Sequence, residues 1–545
     1  MMKPQALLFA LLATASLLAE AASAEPLKLT NLDVGNAKMD GQSVNNAISP
    51  ELSQSIIAEG RMPLENPSKI NGYYGYSNDG PLSPASGDSQ TKDHNVEATK
   101  TEPDKNTYLV MDGQKGPDAN YNYGSHFLFQ GHEHGISLDG RPHGYVTRIN
   151  LDADARHRVT LLAEMDSSGS PLPFIDGSAW NPFAKRLMLT GEDGEKGGLW
   201  QVTADYPATA DDLRGISGIG AYEGVQLDNK GNLWLVEDTG GKKGKIAKHA
   251  RLPNSFVYRL VPNDPTNITK GGRLEVLQVS ASDGQPIVFN TTSADADISS
   301  AAVKEMYSYG KSLKTRWIVI HDTAKDGSAP FDANKLAKAA GGTPMKRPEN
   351  GQFRPASAFT EFYFTATGDT NSDSEAGAEG GGYGGIFVLK QTSATANEGV
   401  LQITYRGDRE HTGFDNLAFL TANQLAIVED AGDTLHSQRK AFDAGYIIDV
   451  TADYSSGVKP LRFLVNGRDA AATVDSGLVT NADDNGFQND GDNEITGFHV
   501  SDGDPSIEGL IGTKSPTPFK DGWRVFYTRQ HGKNETYEVK GSATM

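Results

Sequence analysis

The chain has 545 residues, 60 glycines, no cysteine and a formal net charge of −20. So negative a chain is a poor partner for nucleic acid, whose phosphate backbone calls for a basic face, but it suits bound cations. The lack of cysteine excludes disulfide staples, and the glycine content suits short strands joined by tight turns.

Residues 1–24 open on the basic Lys3, continue through an apolar run and close on Ala22-Ser23-Ala24. This predicts a secretory signal peptide cleaved before Glu25, and a periplasmic or extracellular bacterial protein exported without a twin-arginine motif. No later stretch is long and apolar enough to predict a membrane span, so the mature protein is expected to be a soluble monomer. Residues 25–105, rich in Ser, Asn, Gly and Pro, read as an irregular arm ahead of one domain over 106–545.

From there a paired motif recurs. HFLFQGHEHG precedes HGYVTRINLD, RLMLTGEDG precedes GGLWQVTAD, and NLWLVEDTGG precedes NSFVYRLVPND. EFYFTATGD precedes GGIFVLKQT, QLAIVEDAGD precedes AGYIIDVTAD, and WRVFYTRQHG precedes ETYEVKG. Each pair is an apolar strand ending in polar residues, a loop, and a strand of mixed aromatic and aliphatic residues. Two such strands cannot bury their faces alone, but six units around an axis can, which predicts an all-β, six-bladed β-propeller with long loop insertions. A β-sandwich is the competing all-β arrangement.

In GNLWLVEDTG (231–240) the strand finishes on Glu237 and Asp238, and QLAIVEDAG repeats the ending. Acids beside glycine ordinarily cap turns through nearby backbone N–H groups. As a set from different blades, they can instead meet near the axis and hold a cation. His132 and His134 flank Glu133 in QGHEHG, an isolated triplet that reads as a polar turn before a metal site. The acidic stretches 368–382 and 481–494 lack EF-hand spacing; the first reads as a solvated loop. In MKRPENGQF, Arg347 and Glu349 flank Pro348, and an extended backbone would point both to one side. An arginine fork beside a metal-binding carboxylate is what a phosphate ester site requires. Glu223, in GAYEGVQLD, and Glu508, in PSIEGLIG, each stand beside apolar residues as candidate ligands.

The order DGSAWNPFAKRLMLTGEDG, GAYEGVQLDNKGNLWLVEDTG, FVYRLVPND, MKRPENGQF with EFYFTATGD, and FDNLAFLTANQLAIVEDAG resembles the PhoX-type alkaline phosphatases, from about Tyr108 to the C-terminus. The resemblance implies a six-bladed propeller that hydrolyses small phosphate monoesters with iron and calcium ions. It implies that Arg347 grips phosphate, that Glu349 and Glu223 stand where the family binds iron, that Glu192 and Asp193 bind calcium, and that Glu508 is a late calcium ligand. The family's iron pair is also held by a cysteine, and here Asp176 lies at about that place. Oxygen in place of thiolate favours hard cations, so calcium is the expected cofactor and iron the less suited one. Two alternatives share the scaffold: a calcium-dependent hydrolase of another class, such as a lactonase, and a non-catalytic calcium-stabilised propeller.

Overall fold

The computed structural model describes residues 25–36, 44–75, 101–135, 144–192, 194, 196–288, 293–467, 494–530 and 534–542. The leader expected over 1–24 and the candidate ligand Asp193 lie outside these residues.

Antiparallel ladders sort the strands into six blades. Two N-terminal strands, β1 (Ala47–Ile48) and β2 (Leu52–Ala58), come first in the chain but join late blades. The first blade is β3 (Thr101–Val110), β4 (His126–Gly135), β5 (Tyr145–Asn150) and β6 (Val159–Ala163). The second is β7 (Ile175–Asn181), β8 (Arg186–Gly191), β9 (Gly198–Val202) and β10 (Ala210–Asp212). The third is β11 (Tyr222–Leu227), β12 (Leu233–Glu237), β13 (Val257–Pro262) and β14 (Gly272–Val279), followed by an extra strand, β15 (Leu313–Asp322). The fourth is β16 (Gly351–Phe353), β17 (Glu361–Ala366), β18 (Gly385–Gln391) and β19 (Glu398–Arg406). The fifth is β20 (Phe414–Phe419), β21 (Gln424–Glu429), β22 (Ala444–Asp449) and β23 (Leu461–Val465), and the sixth is β24 (Ile495–Ser501), β25 (Arg524–Arg529) and β26 (Glu535–Gly541).

The paired motif of the sequence supplies the second and third strand of every blade. β15 pairs with both β14 and β19, so the third and fourth blades are joined in one nine-stranded sheet. The innermost strands neighbour one another in the order β3, β7, β11, β16, β20, β24 and back to β3, which closes the ring. Middle strands such as β5, β9 and β12 are buried along their whole length, because neighbouring blades cover both faces.

The arm expected over 25–105 is partly blade. β2 pairs with β26 from Leu52↔Gly541 to Ala58↔Thr536 and completes the sixth blade, while β1 extends the fifth beside β23. The first innermost strand also begins at Thr101, ahead of the expected boundary at 106. Composition hid this: LSQSIIA is short and half polar because one of its edges stays open to solvent.

Apolar clusters fill the seams between blades. Around Trp234, the rings of Trp317, Phe353 and Phe362 lie 5.2, 5.0 and 5.0 Å away, which locks the third blade against the fourth. Removing residues 25–58 leaves β26 as an unpaired edge. The truncated chain is expected to unfold at a clearly lower urea midpoint than the parent and to aggregate; equal midpoints in parallel unfolding curves would show that β2 is dispensable.

Candidate active site

Each innermost strand begins with an acid at the same end of the channel. Asp104, Asp176, Glu223 and Asp415 lie at the starts of β3, β7, β11 and β20, and Glu349 and Glu494 stand just ahead of β16 and β24. In five of the six blades a β-bulge interrupts the ladder there. A bulge re-aims a side chain that strict alternation would send into a blade seam. Close backbone approach completes the ring. A Cβ on Gly177 would lie 1.8 Å from the Glu223 carbonyl oxygen, and one on Gly224 would lie 2.7 Å from that of Glu349. Only glycine lets the blades bring Asp176, Glu223 and Glu349 so near one another.

The ends of the second strands add a further tier. Glu133, Glu192, Asp238 and Asp430 come from blades one, two, three and five. Consecutive strand residues face opposite ways, and this divides each Glu-Asp pair. Glu237 is a brace: its carboxylate accepts hydrogen bonds from Phe256 N at 3.1 Å, the Tyr258 hydroxyl at 3.0 Å and Asn334 Nδ2 at 3.0 Å. Glu429 does the same in the fifth blade, accepting from Ala444 N at 2.9 Å and Arg439 Nη1 at 3.0 Å. The following acids, Asp238 and Asp430, turn towards Arg347.

Arg347 donates from Nε and Nη2 to Asp238, each at 2.9 Å. Its Nη2 also lies 2.9 Å from Glu349 Oε1 and 3.9 Å from Asp430 Oδ2. The Arg347 side chain retains 22 % exposure while that of Glu349 beneath it retains 2 %. Arg347 and Glu349 do meet, but through a left-handed Arg347 (φ 55°) and not the extended backbone expected around Pro348.

Two groups of acids have the spacing of cation sites. Oxygens of Glu223, Glu349 and Asp415 lie within 4.8 Å of one another, as do those of Asp104, Glu133 and Asp176. Asn350 Nδ2 donates to Glu223 at 3.2 Å and Asp415 at 3.4 Å, and Asn416 Nδ2 donates to both Asp415 oxygens at 2.7 and 2.9 Å. Asn416 is held in turn by Lys105 Nζ at 2.8 Å. Glu349 Oε2 and Asp176 Oδ1 are buried without a partner, and Glu349 Oε1 has only its ion pair with Arg347. A buried carboxylate oxygen left so is costly unless a cation takes it. The donor set, all oxygen, fits hard divalent ions.

Burial first, then mutual repulsion, raises these carboxyls. Asp104 and Asp430 are pushed up to about 7 and Glu192 to about 8, while Glu133, Asp176, Glu223, Glu349 and Glu494 rise well above the usual range. Asp104 with Asp176, Glu133 with Glu192, and Glu223 with Asp415 influence one another's titration across the ring.

Several expected residues stand elsewhere. Glu508 is exposed in a short turn, Ile507–Gly509, beyond the far end of β24. The acids gather where β24 begins, and a strand rises about 3.3 Å per residue, so Glu508 emerges at the opposite mouth of the channel. Glu494 occupies the place expected for it. His132 is no ligand: its Nε2 bonds to the Thr147 hydroxyl at 2.8 Å and its ring stacks on Tyr145 at 4.2 Å. In that triplet Glu133 is the residue facing the site. Asp104 and Asp415 do not stand out in the sequence, whereas Asp430 belongs to the QLAIVEDAG ending and Glu494 closes the acidic stretch 481–494. A shared signal exists in I-D-G, Y-E-G and F-D-N, an apolar residue, an acid and a small or amide residue opening the innermost strands of blades two, three and five.

These features define a six-bladed β-propeller with an acid-ringed channel and one arginine at its mouth. Residues 251–505 match the family model described as alkaline phosphatase PhoX. The structure of Pseudomonas fluorescens PhoX in complex with vanadate, a transition state analogue, superposes with a TM-score of 0.53 at 11 % identity, covering 93 % of this chain and 98 % of that one. The family match thus spans somewhat under half of the chain, and the structural match shows that the chain shares the propeller fold of that phosphatase over nearly its whole length. TolB from Acinetobacter baumannii (TM-score 0.29, 10 % identity, 80 % and 64 % covered) and Sqt1 from Chaetomium thermophilum (0.31, 12 %, 76 % and 93 %) score too low to bear on the fold. A search of curated proteins gives no match.

The raised carboxyls set a pH dependence. The folded state holds protons that the unfolded chain has already released above about pH 4, so stability falls as pH rises through the window from about 4 to about 8. The chelated protein is therefore expected to melt at a lower temperature at pH 8 than at pH 5, with calcium closing most of the gap at pH 8. Thermal melts at both pH values, with and without chelator, test this; a chelated protein no less stable at pH 8 would contradict the raised carboxyls.

Proposed function

We propose that this chain is a calcium-dependent phosphoesterase that hydrolyses small phosphate monoesters at the acid-ringed end of the channel. The observation that carries the reading is a partly exposed Arg347 paired through Nη2 with Glu349 Oε1 at 2.9 Å, while Glu349 Oε2 is buried with no partner. An arginine fork matches the oxygens of a phosphate in a way that a lone ammonium does not. Arg347 binds and orients the phosphate, exchanging part of its present pairing with Asp238 for the substrate. Asp238 and Asp430 hold the fork in place while the ester arrives.

Glu223, Glu349 and Asp415 are the residues that hold the cation nearest Arg347, with Asp104, Glu133, Asp176 and Glu192 as the donors of the adjoining tier. A bound divalent cation supplies positive charge that polarises phosphate oxygens and lowers the pKa of water. The neutral amides of Asn350 and Asn416 keep Glu223 and Asp415 aimed inward without adding charge. Because no thiolate is present, the oxygen donors support calcium over iron.

The reading also has the chain working outside the cytoplasm after loss of residues 1–24, where calcium is plentiful. N-terminal sequencing of the exported protein is expected to begin at Glu25; an uncleaved Met1 in that material would remove the export step.

Arg347→Ala should lower kcat/KM for an aryl phosphate between about tenfold and about a hundredfold, the equivalent of ~1.5–3 kcal/mol for hydrogen bonds to a charged group. Chelation should abolish turnover and calcium should restore it. If Arg347→Ala retains the parent kinetics, Arg347 has no part in phosphate binding. If lactones are turned over and aryl phosphates are not, the phosphatase reading falls.

A further inference from the structure

Between β12 and β13 the chain runs GGKKGKIAKHARLP, residues 240–253. Five basic side chains, Lys242, Lys243, Lys245, Lys248 and Arg251, stand exposed there in a chain whose net charge is −20. None of the five makes an ion pair among the described residues. The segment has neither helix nor strand, yet its backbone is fastened. Asp295 accepts from the amides of 245, 246 and 247 at 3.0–3.1 Å, Glu375 from those of 248, 249 and 250 at 2.9 Å, and Asp369 from that of 251 at 3.0 Å. Seven consecutive N–H groups are thus held by three carboxylates from other segments. Two of those acids lie in the 368–382 stretch, which the sequence suggested was merely a solvated loop.

Both ends of the segment are tied to the site. It leaves the third blade just after Asp238, the partner of Arg347. It returns at Arg251, whose carbonyl oxygen accepts from Lys346 Nζ at 2.8 Å. Lys346 precedes Arg347 and also neutralises Asp369 at 2.8 Å. Exposed lysines on a loop ordinarily serve only solvation. A chain this acidic has no need of lysines for solubility, and solvation does not call for an immobilised backbone.

The electrostatics of the site supply a need. A phosphate ester approaching the carboxylate ring meets like charge, and surface charge steers encounter over roughly 8–10 Å at physiological salt. Asp295 and Glu375 offset part of the cationic charge, and His249 lies 3.1 Å from Glu375. Five cations against those two acids leave the segment positive.

We propose that residues 242–251 form a fixed cationic rim that captures polyanionic phosphate esters, those bearing phosphate groups beyond the one hydrolysed, and presents them to Arg347. This rests on the phosphatase reading above and names its substrate class.

The test compares the parent with a variant carrying Lys242→Gln, Lys243→Gln, Lys245→Gln and Lys248→Gln. Their kcat/KM values for a nucleoside triphosphate and for an aryl phosphate are measured from about 20 mM to about 0.5 M ionic strength. The preference for the triphosphate is expected to fall about tenfold at low salt in the variant, and its salt dependence to flatten. The matching Lys→Arg variant should retain the parent preference. An unchanged preference and salt slope in the glutamine variant would overturn the proposal. Calorimetry with inorganic tripolyphosphate on the chelated protein separates the two readings. Weaker binding in the glutamine variant supports the rim even where no ester is turned over, and equal binding in parent and variant refutes it.

Discussion

Crowding of buried carboxylates at one end of the channel is the constraint to which the rest of the molecule answers. Ten acids from six blades converge there, and every one removed from water raises the cost of the others. Arg347 offsets part of this cost at the mouth. Lys105 offsets part of it deeper in, where burial lowers its pKa to about 8 although Asp415 and Asp104 pull it back up. The remainder falls to bound protons or to cations. The bulges and the glycines at 177 and 224 make sense only in that light: they draw backbones together so that oxygens from separate blades can share one ion. A scaffold selected for packing alone would have kept those positions apolar and the ladders regular.

The blade architecture was legible because each blade spends two strands on the same task. Middle strands are covered on both faces, so they appear as nearly continuous apolar runs, and the polar residues after them mark the channel end. Six such pairs gave the blade number directly. What composition could not show was the membership of β2 and β15. A seven-residue outer strand with one open edge carries little hydrophobic signal, and β15, LKTRWIVIHD, shows alternation without revealing that it bridges two blades.

The site was legible where a motif had two neighbouring features. Arg347 and Glu349 stood out as a triplet, and Glu223 stood before a strong strand. Asp104 and Asp415 each lie near the start of an inner strand, where an acid looks like any turn residue, and Glu494 is lost among the many acids of 481–494. Only the ring brings them together. The Glu-Asp endings had two meanings at once: in blades three and five the first acid braces the next strand and the second faces Arg347. Local sequence offers turn-capping or cation-binding as competing accounts, and the fold splits the pair between a strand brace and an arginine partner. Glu508 misled for the opposite reason, because a strand that begins at the acids carries the residues after it to the far mouth.

The pairing of residues 52–58 with 536–541 has a consequence for the order of assembly. The last blade needs strands from both extremities of the chain, so the ring can form only when the final strand is available, and the acids of blades one and six face each other only then. Half-assembled chains present isolated carboxylates, each solvated and each a weak ligand. A cation held by acids of several blades would find its full donor set only in the finished circle, and would then act as a latch on topology that rewards closure.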